Sequence, residues 1–272
     1  MKKIIISLSM IVAVAAIVVG ATTAFFSDTE TSTGNTFTAG SIDLKIDNES
    51  YVTNNAGDLV ASPNTSWDLR DLTIERFFNF TDLKPGDIGE DTISIHVYDN
   101  DSWVCMSAAI TATPENGITE PEAADDSTVG ANQGELQDEL NFVFWADDGD
   151  NVLEADEANE VFEGTIKDFE DTSPRIVADS NWNIFTSEPG TPLTGGQDYY
   201  IGKAWCFGDL TLTPASQDYP DNVGPLTRGT TGISCDGTLV DNSTQSDGVV
   251  GDISFTAVQS RNNDNFSCSP PQ

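Results

Sequence analysis

Three stretches of this chain alternate strictly between apolar and polar residues. Ile42, Leu44 and Ile46 are interleaved with Asp43, Lys45 and Asp47, and the pattern recurs around Ile93, Ile95 and Val97 and around Ile253, Phe255 and Ala257. A period of two separates faces only in an extended chain, so each stretch reads as a half-buried strand. Residues 103–113, 141–145 and 199–213 add longer apolar runs that read as strands, punctuated by Gly, Pro, Asn and Asp. No segment sustains a period of 3.6 long enough for a βαβ crossover. The expected class is all-β, a jelly-roll-like antiparallel β-sandwich. Residues 48–68 read as a loop and 81–87 as a turn. Residues 114–140 read as an acidic insertion, with one short helix expected over 135–140.

Residues 1–24 have a different character. Lys2 and Lys3 precede an apolar run over residues 4–19, and Thr22 and Ala24 stand at the −3 and −1 positions of a cut after Ala24. An apolar run this short, ending in small residues, reads as a cleaved secretory signal rather than a retained membrane span. The expected domains are therefore a signal peptide over 1–24, an N-terminal segment over 25–40 and a folded domain over 41–272. The product is expected outside the cell, with no membrane span after cleavage. The tail carries no LPxTG-like sorting signal, so no covalent wall anchor is expected.

Charge narrows the partners. The formal charge of −34 becomes −36 once Lys2 and Lys3 leave with the signal. A polyanion of this size repels nucleic acid and anionic membranes and attracts cations. Four cysteines, Cys105, Cys206, Cys235 and Cys268, in an exported chain suggest two disulfides with three connectivities open. Cys206–Cys235 is the favoured pair because the two are neighbours in sequence. No CxxC spacing suggests zinc. Five N-x-S/T sequons begin at Asn48, Asn64, Asn79, Asn242 and Asn265, and they matter only in a host that glycosylates.

The densest local chemistry is the run from Asp147 to Glu157, in which carboxylates crowd a Gly turn. That donor set suits a hard, oxygen-seeking cation such as calcium, with Asp148, Asp150, Glu154 and Asp156 as the expected ligands. The alternative is a solvated acidic turn. It is not an EF-hand, because aligning Gly149 with that loop's glycine puts Phe144 at the first ligand position. His96 is the only histidine, and its strand position opposite Ile95 and Val97 suits a surface residue. HExxH and His-rich zinc centres are excluded, no GxSxG motif is present, and the chain is expected to be no enzyme.

Two motifs carry a family resemblance. Ala24-Phe25-Phe26-Ser27-Asp28-Thr29-Glu30 followed by residues 35–44, and the turn Leu83-Lys84-Pro85-Gly86-Asp87, resemble the TasA/camelysin (CalY) family of exported proteins. The resemblance covers residues 1–47 and 81–105 and extends to the strands from 141 onward, but not to the insertion or the cysteine pattern. It implies a jelly-roll-like fold, processing by a SipW-type signal peptidase, and assembly into biofilm-matrix or cell-surface fibres. In that assembly the mature N-terminal segment of one copy is donated as a strand to the next, and Phe25, Phe26 and Phe37 would anchor it; the alternative is that Phe25 and Phe26 serve the peptidase and the segment folds back on its own domain. Fourteen residues, 25–38, reach about 46 Å when extended, enough to span a sheet edge. Camelysin-type members are also regarded as metalloproteases. The readings to be separated are a self-polymerising fibre subunit, a monomeric calcium-stabilised surface adhesion module, and a camelysin-like metalloprotease.

Overall fold

A computed structural model describes residues 27–31, 42–157, 160–216, 224–229 and 231–269. The fold is an antiparallel β-sandwich. One sheet has four strands in the order β1 (Ser27–Thr31), β13 (Val250–Gln259), β6 (Ser102–Ala112) and β9 (Arg175–Ala178). The facing sheet runs β3 (Leu59–Ala61), β2 (Asp43–Thr53), β5 (Ile88–Tyr98), β10 (Asp198–Phe207), β7 (Leu140–Asp147) and β8 (Glu160–Thr165), with β4 (Trp67–Arg70) also on β2. A separate hairpin pairs β11 (Asp209–Thr213) with β12 (Gly232–Asp236).

The alternation places the core as expected. Leu44 and Ile46 on β2, Ile93, Ile95 and Val97 on β5, Phe142 and Phe144 on β7, and Ile201 on β10 face Val104, Met106, Ile253 and Phe255 of the other sheet. β7 is buried on both faces, which explains its unbroken apolar run. Its other face carries Val143 and Trp145, which pack with Leu153, Ala204 and Ile233 beneath the β11–β12 hairpin. Two glycines make room for indoles on neighbouring strands. Gly202 is the register partner of Trp145, and Gly89 of Trp205. A Cβ at Gly202 would lie 2.1 Å from the Trp145 ring, and one at Gly89 would lie 2.2 Å from Trp205 Nε1.

The structure departs from the sequence reading in three places. The long strand expected over 199–213 breaks at Gly208, whose φ of 129° is open to glycine and strained for other residues. Residues 48–68 are not a loop: β2 continues to Thr53, and β3 and β4 follow. The helix expected over 135–140 is α1 (Leu136–Glu139), and a second, unexpected helix, α2 (Ile166–Thr172), is started by a capping box between Thr165 and Asp168.

Two disulfides close the structure. Cys206–Cys235 ties β10 to the outer hairpin, and Cys105–Cys268 ties β6 to the C-terminal tail. Among the described residues no helix is long and apolar enough to cross a membrane. Ala24, Phe25, Phe26 and Phe37 lie outside the described residues, as does the signal segment.

Candidate metal centre

The acidic loop begins where β7 ends. Side chains alternate along a strand, so Asp147 falls on the same outer face as Trp145, and Trp145 Nε1 donates to Asp147 Oδ1 at 3.1 Å. Asp147 Oδ2 accepts from the backbone N–H groups of Gly149 (3.0 Å) and Asn151 (3.2 Å), which folds the chain back at once. Gly149, at φ 114°, lets the turn lie against the Tyr200 ring. Glu157 closes the loop: its Oε1 accepts from Asp148 N at 2.8 Å and its Oε2 from Glu154 N at 3.0 Å. Leu153 is buried beneath, and backbone bonds between Leu153, Ala155 and Ala215 fix the far side.

This folding brings Asp147, Asp148 and Glu157 together, with one carboxylate oxygen from each within 4.8 Å of the others. Asp147 and Glu157 are buried and Asp148 is exposed. Among the described residues no basic side chain pairs with any of the three. Burial raises the Asp147 carboxyl to about 7, against the pull of the Asn151 and Gly149 amides, with Asp150 and Asp148 adding repulsion. Burial, then repulsion from Asp147, raises Glu157 to about 9. Asp150 is pushed to about 6, chiefly by burial. Asn151, 1% exposed, has neither its side-chain oxygen nor its nitrogen hydrogen-bonded among the described residues.

Of the expected ligands, only Asp148 belongs to this cluster. Asp150 turns its Oδ1 to the Val152 amide at 2.8 Å, Glu154 is buried at the bridge to Ala215, and Asp156 is exposed. The two buried members, Asp147 and Glu157, were missed. The available signal was the period of two: Asp147 continues the buried face of β7. An all-oxygen set of carboxylates fits a hard divalent cation. His96 stands on the outer face of β5 as expected, bonded to Asp198 (2.7 Å) and Ser94 (2.8 Å).

The comparisons bear directly on chemistry. The family described as camelysin metallo-endopeptidase matches the chain over residues 1–211. No curated protein matches it. Each disulfide joins one cysteine inside the matched span to one outside it. The match overturns the expectation that the chain is no enzyme, which rested on its single histidine and on the lack of a GxSxG motif. Counting histidines tests only nitrogen-ligated metal centres, whereas the cluster found here is built from carboxylates.

Proposed function

This chain belongs to the camelysin metallo-endopeptidase family, and we propose that it is an exported subunit of an extracellular fibre, assembled by exchange of its N-terminal strand. The observation that carries this reading is the pairing of β1 with β13. Within one copy Ser27 to Thr31 fold back antiparallel on their own β13, from Ser27 opposite Val258 to Thr31 opposite Ser254, and close an edge of the four-stranded sheet that a neighbour's segment would occupy instead after exchange. An edge that accepts one extended segment accepts another of the same sequence equally well. Residues 32–41 separate β1 from Ile42, and ten residues reach about 33 Å when extended.

A cleft of about 670 Å³, lined by Phe78, Phe80, Phe142, Trp205 and Phe207, opens between the sheets near Gly248 and Gly251. A donated strand held in the register of β1 and continued past Thr31 would bring Phe37 level with Gly248 on the rim. Phe25 and Phe26 would lie at the other end of the strand, and repetition of a contact that does not close gives a filament. Electron microscopy of the mature protein and of a variant lacking residues 25–38 tests this. Filaments from the mature protein alone are expected, and filaments from the truncated form would sink strand donation.

A second reading, metal-dependent peptide hydrolysis, is favoured by the family's description and by the Asp147, Asp148 and Glu157 cluster. Those carboxylates would hold the ion, which would supply a polarised carbonyl and an activated water. Casein hydrolysis by pure protein, abolished by chelator and by Asp147→Asn, is the expected result. Chelator-insensitive activity, or none, would remove this reading.

A further inference from the structure

A second carboxylate cluster lies away from the 147–157 loop, where the insertion after β6 meets the segment leading into β13. The two pieces are laced together by backbone and side-chain bonds. Gly248 N donates to Pro114 O at 2.9 Å, Asn116 Nδ2 to Ser246 O at 2.8 Å, and Ser246 Oγ to Gly117 O at 2.9 Å. Inside this seam Glu115, Glu135 and Asp247 each bring a carboxylate oxygen within 4.8 Å of the other two. Asp247 Oδ2 accepts from Glu135 N at 2.7 Å.

What distinguishes the cluster from a solvated acidic face is its orphaned oxygens. Glu122 is 0% exposed. Its Oε2 accepts from Thr119 N at 2.8 Å, and its Oε1 has no partner. Both oxygens of Glu115, Oε2 of Glu135 and Oδ1 of Asp247 are likewise shielded from solvent with no donor in good hydrogen-bond geometry, while the Glu135 and Asp247 carboxyls interact directly with each other and the Gly117 amide lies near Glu115. Glu122 is close enough to repel both Glu115 and Asp247, so its buried charge adds to theirs. No basic side chain among the described residues pairs with any of the four. Burial, reinforced by Asp126, raises the Glu135 carboxyl to about 7.

Glu115, Glu135 and Asp247 are half-buried and Glu122 is fully buried; carboxylates that share a shielded site do not all stay charged without a counter-charge, and leaving so many acceptors unmet is costly. Here the donors are oxygens only, with no His or Cys among them, which selects a hard cation over zinc. We propose that Glu115, Glu135 and Asp247, backed by Glu122, form a calcium-class divalent cation site that staples the 114–140 insertion to the segment entering β13. Asp247 and Asn116 also stand on the rim of the aromatic cleft, so the staple fixes one wall of that opening.

The test is calcium binding by the mature protein after chelator treatment, read by calorimetry alongside hydrogen exchange. Wild type is compared with Glu135→Gln/Asp247→Asn and, separately, with Asp147→Asn/Glu157→Gln. The first double variant is expected to lose one calcium equivalent whatever the second does, so failure here is distinct from failure of the 147–157 centre. Calcium-free, the first variant should melt no lower than wild type, because its repulsion is relieved. In wild type, calcium should slow amide exchange over 113–119 and 244–248 at least tenfold. Unchanged stoichiometry in the first variant would overturn the proposal. So would unchanged exchange in wild type, a result that does not depend on any variant folding.

Discussion

Lys203 Nζ lies 2.7 Å from Asp91 Oδ2, and neither side chain has any exposure to solvent. The two are register partners on β10 and β5 and both point into the core. Asn48 Nδ2 donates to Asp91 Oδ1 at 3.0 Å, and Lys203 donates to Phe77 O at 3.1 Å with the Phe77 ring beside it. Burial lowers the lysine's pKa while Asp91 pulls the other way. Breaking one half strands the other charge in apolar surroundings. Asp91→Ala should cost about 3–5 kcal/mol in urea unfolding, whereas Lys203→Met/Asp91→Leu should recover most of that loss. A single variant as stable as wild type would show that the pair is not ionic.

Gly202→Ala should destabilise by roughly 1–3 kcal/mol or more, because the added methyl has nowhere to go except into the Trp145 indole. The near-ultraviolet circular dichroism of the tryptophans should change with the unfolding midpoint. A midpoint within error of wild type would mean that β7 and β10 separate easily.

Loop-closure entropy ranks the two disulfides. Cys105–Cys268 spans 163 residues and Cys206–Cys235 spans 29, corresponding to about 5 and about 3.6 kcal/mol of stabilisation. Paired Cys→Ser variants should therefore lower the unfolding midpoint in that order. The reverse order would mean that the tail fastened by Cys268 contributes little to the native sandwich.

In calcium-free solution stability should fall as pH rises. Asp147 and Glu135 titrate near 7 and Glu157 near 9 when folded, and all three are raised above ordinary carboxylates. A raised carboxyl keeps its proton in the folded state after the unfolded chain has lost it. The stabilisation is therefore complete below about pH 4 and lost as pH climbs through 7 and then 9. The melting temperature should drop across that window, and calcium should restore it most at the alkaline end. A melting temperature independent of pH in chelator would remove the assignment.

The alternating strands were legible because solvent and core impose opposite demands on successive residues, as at Ile93, Ile95 and Val97. The Cys206–Cys235 pair was legible for a simpler reason: its partners are close in sequence. The polar core was not. Lys203 and Asp91 are 112 positions apart, and nothing in their local sequence says that both face inward. α2 carried a readable start in Thr165 and Asp168, but seven residues are too few to establish a helical period. In the 147–157 loop, composition pointed to the stretch in which Asp147, Asp148 and Glu157 come together, while the burial of Asp147 and Glu157 depends on what covers them. The second cluster, spread from Glu115 to Asp247, exists only after folding.

The β1–β13 pair also has a mechanical meaning. A pull along β1 loads its backbone bonds with β13 side by side, so they resist together instead of opening one at a time. β13 passes the load sideways to β6 over ten register pairs and lengthwise into the tail, which Cys268 bonds covalently to Cys105 on that same β6. Tension entering at the sheet edge therefore meets a covalent link to the next strand of the same sheet, and β13 is held from both sides against peeling.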